Sequence, residues 1–222
     1  MTNGIRSRLP GIALSAACLF AFSCMNAVPA AALSSAEIGF SATSDAAGIV
    51  LYAADWSSGL NGWAGHPSWK HLRGMLVNDG TGYGADPILA PYDTGSLADY
   101  TVEARVRMTR GAQAVPTSFG LAARRSAGGG GYSAAVRAGY PASIGYTDEG
   151  PWAWLVEGQP YVPDAGWHTY ALRADGNVLT FLVDGSRIAT TSDNRFLSGG
   201  LTGLFAGSYQ LEVSSYRVRR LT

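Results

Sequence analysis

The stretch that decides the fold runs from Trp167 to Thr191: Trp167-His168-Thr169-Tyr170-Ala171-Leu172-Arg173-Ala174, Asp175-Gly176-Asn177, Val178-Leu179-Thr180-Phe181-Leu182-Val183, Asp184-Gly185, Ser186-Arg187-Ile188-Ala189-Thr190-Thr191. Tyr170, Leu172 and Ala174 alternate with Thr169, Ala171 and Arg173, so a strand here has one apolar face and one mixed face. Leu179, Phe181 and Val183 repeat the alternation. Asp184-Gly185 suits a two-residue type I′ turn, which needs positive φ at both central positions. Asp175-Gly176-Asn177 suits a slightly longer hairpin loop. The stretch reads as three strands joined by two tight turns.

The same alternation extends outward. Tyr100, Val102, Ala104, Val106 and Met108 form an apolar face opposite Thr101, Glu103, Arg105 and Arg107. Phe119, Leu121 and Ala123 point inward on the next strand, and Tyr132, Ala134 and Val136 on another. Leu201 to Ala206 and Leu211 to Leu221 close the chain. Ile49 to Tyr52 is a short strand, and Met75 to Gly80 ends a strand in a turn. Gly82 to Asp93 reads as a loop, because Pro87 and Pro91 limit ladder pairing. Tyr140 to Asp164 reads as a long, aromatic, proline-bearing connection. About ten strands at this spacing predict an all-β, two-sheet antiparallel sandwich of jelly-roll type, with the sheets about 10 Å apart.

The chain has 222 residues with 47% apolar composition and 29 glycines, which suits one β domain and argues against disorder. Residues 1–32 read as a bacterial secretion signal: Arg6 and Arg8, an apolar run from Leu9 to Phe22, then small residues ending in Ala30-Ala31-Ala32. Cleavage there leaves Leu33 first; cleavage after Ala30 is the near alternative. A lipoprotein reading, with Cys24 acylated, ranks second because Phe22 fits a lipobox poorly. The apolar run is too short to span a bilayer comfortably. Cys18 and Cys24 are the only cysteines, so the exported chain lacks disulfides. Residues 33–48 read as a linker, and 49–222 as a single domain. Without Arg6 and Arg8, 14 basic residues face 16 acidic ones, a net charge of −2. No broad basic excess draws the chain to nucleic acid or anionic lipid.

Asp55-Trp56, Gly62-Trp63, Trp69, Asn78-Asp79-Gly80 and Asp99 to Arg107 resemble concanavalin A-like lectin/glucanase jelly rolls. So do Gly120 to Arg124, Gly131-Tyr132, Gly166-Trp167-His168, Val183-Asp184-Gly185 and Gly203-Leu204. Their order is most similar to the laminin-G-like and 3-keto-disaccharide hydrolase-like branches, over about residues 50–221. The resemblance implies the jelly roll and a choice among sugar-binding modules, glycosidases, lyases and adhesion domains. The Glu-x-Asp-x-x-Glu triplet of the family's glycosidases is absent. The acid expected in the last strand of calcium-holding relatives is replaced by Ser214 and Ser215, which leaves Asp55 and Glu212 as the oxygen donors for a structural calcium. No other cofactor is expected.

The candidate ligand residues fall into two groups. Tyr140, Tyr146, Trp152, Trp154 and Tyr161 crowd the long connection, where aromatic faces suit the apolar faces of sugar rings. The bland alternative places Trp152 and Trp154 on an extra strand capping the core. Glu103, Arg105, Arg107, Arg124 and Arg137 would line an open sheet face, where guanidinium forks suit acidic sugars. Their bland alternative is cross-strand ion pairing, worth about 0.2–1 kcal/mol per pair. His66, His71 and His168 have no metal-ligand spacing. Asp148, Glu149 and Glu157 are the carboxylates nearest the aromatics. Gly128 to Gly131 is a hairpin, since no lysine or helix follows to cradle phosphate. The leading reading is a secreted, non-catalytic carbohydrate-binding or adhesion-type module. A glycan-acting hydrolase or lyase is the alternative, and a cell-envelope interaction domain with a protein partner is the third.

Overall fold

The computed structural model describes residues 48–54, 56–82, 86–111, 118–148 and 150–222, all within one unit spanning Thr43–Thr222. The leader, the cysteines, most of the linker, Asp55 and Glu149 lie outside the described residues. In chain order the strands are β1 (Val50–Ala54), β2 (Ala64–Gly65), β3 (Trp69–Leu72), β4 (Met75–Asp79), β5 (Asp86–Asp93), β6 (Tyr100–Gly111), β7 (Ser118–Arg125) and β8 (Gly131–Arg137). There follow β9 (Tyr140–Thr147), β10 (Ala153–Pro160), β11 (Trp167–Asp175), β12 (Val178–Val183), β13 (Ser186–Ser192), β14 (Leu201–Gly207) and β15 (Tyr209–Arg220).

These strands form two antiparallel sheets, a jelly-roll sandwich. The eight-stranded sheet runs β13-β12-β11-β6-β15-β4-β3, with β1 also paired to β15. The seven-stranded sheet runs β10-β9-β8-β7-β14-β5-β2. The meander is as read: β11, β12 and β13 are successive neighbours, with Tyr170, Leu172, Ala174, Leu179, Phe181 and Val183 buried. Asp184 and Gly185 have φ of 50° and 78°, as a type I′ turn requires. The preceding turn is tighter than expected. Asp175 pairs with Val178, leaving Gly176 and Asn177 as a two-residue loop with φ of 54° at Gly176.

Two stretches expected to be loops are strands. Residues 86–93 form β5 despite Pro87 and Pro91. Its outer neighbour β2 has only two residues, so a full ladder is not required on that side. The connection from Tyr140 to Asp164 is a hairpin of β9 and the edge strand β10, with Pro141 and Pro160 opposite each other at its end. The core includes Tyr100, Phe119, Leu121, Tyr132, Ile144, Leu172, Phe181, Leu204 and Tyr216, all drawn from the facing sides of the two sheets. Along one margin the sheets touch. A Cβ at Gly158 of β10 would stand 2.4 Å from the Ile188 carbonyl oxygen and 2.6 Å from the Ala189 Cβ of β13.

Candidate functional site

The side of the seven-stranded sheet turned away from the core is built from small residues. On β7, β8 and β9 the inward residues include Phe119, Leu121, Tyr132, Val136 and Ile144, while the alternate ones are Gly120 and Ala122, Ser133 and Ala135, Ser143 and Gly145. One cross-strand row reads Trp154, Gly145, Ser133, Ala122, Gly203, Leu89. The next reads Glu157, Ser143, Ala135, Gly120, Phe205. Large side chains recline over the glycines: a Cβ at Gly120 would meet the Phe205 ring at 2.3 Å, and one at Gly145 would meet the Trp152 ring at 2.6 Å. The small residues thus make room for aromatics on the outer face.

At the β8–β9–β10 end of these rows stands an aromatic cluster around one cation. Arg137 Cζ lies 3.8 Å from the centroid of the Trp154 ring, 4.4 Å from that of Tyr140 and 5.9 Å from that of Trp152. The Trp152 and Trp154 rings meet edge to face at 4.0 Å. Trp154 and Tyr140 remain 39% and 49% exposed. Burial pulls the Arg137 pKa down, while Tyr140 and Glu157 nearby push it up; the guanidinium stays cationic. Arg137 Nε and Trp152 Nε1 are shielded from solvent and have no hydrogen-bond partner among the described residues. The same holds for Ser143 Oγ on that face.

Four of the expected ligand residues, Arg137, Tyr140, Trp152 and Trp154, therefore come together. The bland alternative for the tryptophans is half right: an extra strand exists, but Trp154 stands on its outer face, away from the core, and Trp152, just before the strand, lies over Gly145 on the same face. The other five go elsewhere. Tyr146 follows the inward parity of Ala142 and Ile144 and packs on the core, with Arg195 Cζ 4.2 Å from its ring centroid. Tyr161 also packs on the core, its hydroxyl 3.2 Å from that of Tyr170.

Arg124 is a correction. Its side chain is wholly buried, not displayed on a sheet face. Its φ of 52° breaks the alternation of β7. The guanidinium donates to the carbonyls of Ala98 (2.7 Å), Gly176 (2.8 Å) and Phe196 (2.9 Å), and its backbone N–H donates to the Tyr100 hydroxyl (2.7 Å). It clamps three loops together and, wholly enclosed, is out of reach of a ligand.

Glu103, Arg105 and Arg107 lie on the outer face of the eight-stranded sheet, across the sandwich from Arg137, so the single arginine-lined face expected from sequence is two faces. Glu103 sits 3.7 Å from Arg217 and 3.8 Å from Arg219. Arg107 donates to Glu212, and both Arg105 and Arg107 lie over the Trp167 ring. For Glu103 and Arg107 this is the cross-strand pairing of the bland alternative, while Arg105 meets the Trp167 ring instead. Beside it is a depression of about 450 Å³ lined by Thr101, Glu103, Thr169, Arg173 and Leu182.

For calcium, Glu212 is engaged by Arg107, and among the described residues no three His, Cys, Asp or Glu side chains gather. His66 Nδ1 lies 3.0 Å from Ser68 Oγ, and His71 is exposed on β3. His168 sits between Asp184 (Nδ1 to Oδ2, 2.6 Å) and Asp164 (Nε2 to Oδ1, 2.8 Å). Those hydrogen bonds, Asp184 first, raise its pKa above the ordinary 6.5. The imidazolium is thus favoured by folding. Its contribution is complete below pH 6.5 and is lost as pH rises through the raised value. We expect stability to fall over that interval by less than about 1 kcal/mol, the scale of exposed ion pairs. Urea titrations at several pH values check this, and His168→Gln should flatten the profile.

No family model matches the sequence, and no curated protein matches it. Solved structures do match. The carbohydrate binding module CBM66 from Bacillus subtilis superposes with a TM-score of 0.56 at 17% identity, covering 75% of this chain and 96% of that one. The Emp47p carbohydrate recognition domain gives 0.58 at 16% identity, covering 81% and 100%. A Bacillus subtilis protein of unknown function with a galectin-like fold gives 0.61 at 11% identity, covering 78% and 96%. At such identities the likeness is one of fold.

Proposed function

We propose that this jelly-roll sandwich is an exported carbohydrate-binding module whose ligand lies against Trp154. The observation that supports it best is the cluster at the β8–β10 end of the seven-stranded sheet, where an exposed indole is braced by Arg137 and Trp152. An indole face offers the apolar C–H side of a sugar ring a flat, polarisable contact. A side chain already held by its neighbours loses little rotamer entropy when a ligand arrives. Export follows the reading of residues 1–32, and a mature N-terminus at Leu33 checks it.

Trp154→Ala should weaken binding of a recognised oligosaccharide at least about tenfold, roughly 1.4 kcal/mol. Because the indole is exposed, the thermal unfolding midpoint should hold within a degree or two. Tryptophan fluorescence titration after a glycan array is the measurement. An array without a response, or a Trp154→Ala variant with unchanged affinity, would overturn the proposal.

A further inference from the structure

We infer that the cluster takes an acidic saccharide, with the carboxylate on Arg137 and a sugar ring on Trp154. This rests on the carbohydrate reading above and names the ligand class. The charge of Arg137 is the starting point. Arg107, Arg195 and Arg217 each have a carboxylate within salt-bridge distance, and the buried guanidinium of Arg124 has three carbonyls. Arg137 has rings instead, and no carboxylate within 4 Å among the described residues. Ring faces stabilise a cation but give its N–H groups no in-plane lone pairs.

Only some of the donors here can be reached. Arg137 Nε, Trp152 Nε1 and Ser143 Oγ are all shielded from solvent and lack partners among the described residues. Arginine and the indole can only donate, and the serine hydroxyl can donate too. Atoms closed to solvent are closed to a ligand as well, so the part that can be reached is the Nη pair of Arg137, which is neither enclosed nor hydrogen-bonded among the described residues. That pair lacks acceptors and a negative charge. A sugar carboxylate supplies both, since its two oxygens match the guanidinium fork. A neutral sugar supplies hydroxyl acceptors but leaves the charge unmatched.

One group opposes this. Glu157 lies on the same outer face, in the row with Ser143, close enough to influence the charge of Arg137. It is exposed and stands where an incoming carboxylate would feel its repulsion. The two charges therefore make opposite predictions for the same ligand.

The test is calorimetric titration of the full chain with uronate oligosaccharides (from polygalacturonate, alginate and glucuronan) and with the same oligosaccharides after carboxyl reduction. The acidic form of at least one backbone should bind at least tenfold more tightly than its reduced form. In Arg137→Gln that difference should disappear, and Arg137→Lys should restore part of it. Glu157→Gln, a change at an exposed side chain, should tighten acidic binding two- to fivefold without affecting the reduced form. If reduced oligosaccharides bind as well as acidic ones, the acidic class is wrong while the carbohydrate reading stands. If neutral glycans bind elsewhere on an array and no uronate binds, the outcome is the same. If nothing binds in either form, both fail.

Discussion

Arg124→Ala should lower the stability of the domain by about 3–5 kcal/mol, since three carbonyls each lose a donor at about 1–3 kcal/mol and water recovers part of the loss. The side chain is wholly enclosed, and it alone donates to Ala98, Gly176 and Phe196 in the hydrogen bonds that join three loops. Deleting it leaves those carbonyls without the donors around which the loops are arranged, together with a cavity. Arg124→Lys should recover only part of the loss, because an ammonium is a point donor and cannot span three carbonyls. The backbone bond from residue 124 to the Tyr100 hydroxyl survives both changes. Urea unfolding measures the effect as a lower midpoint with unchanged slope. A loss below about 1 kcal/mol would show that the loops simply rehydrate and that the clamp is dispensable.

Trp63→Ala should cost a similar about 3–5 kcal/mol, the range for truncating a buried tryptophan. Trp63 is the hinge of an aromatic group at the other end of the sandwich. Its ring meets Tyr216 edge-on at 4.8 Å and Trp56 at 5.4 Å, and its Nε1 donates to the Tyr52 hydroxyl at 2.9 Å. Tyr52 in turn stacks on Tyr92 at 5.4 Å. Truncation removes a large apolar volume and strands a polar group at once. Trp63→Phe separates the two effects: it keeps much of the packing and loses only the hydrogen bond, so about 1–2 kcal/mol should remain lost. If calorimetry gives equal losses for both variants, packing against Tyr216 is not what holds this end.

The sandwich was legible because bulky apolar residues alternate along β6, β7, β8, β11 and β12. A second signal lay in the same strands and went unused. Gly120 and Ala122, Ser133 and Ala135, and Ser143 and Gly145 put only small residues at alternate positions, which marks an outer face meant to be covered by something else. Prolines hid β9 and β10, because a proline argues against a strand only where a full ladder is needed. Once β9 is seen, Tyr146 falls inward by parity with Ile144. Arg124 could not be placed this way, since a single left-handed residue reverses its side chain and its partners come from three separate loops. Nor does alternation say which sheet a strand joins, so Arg105 and Arg137 looked like neighbours although a whole core lies between them.

The contact at Gly158 bears on how such domains survive crowding. Strand margins with unpaired amides are templates for neighbouring chains, and this one turns the margins of β10 and β13 against each other. On the far side the borders are short: β2 with two residues, β3 with four including Lys70, and β1 with five, paired only to β15. Many copies packed along one polymer would therefore find little purchase for zipping into fibrils.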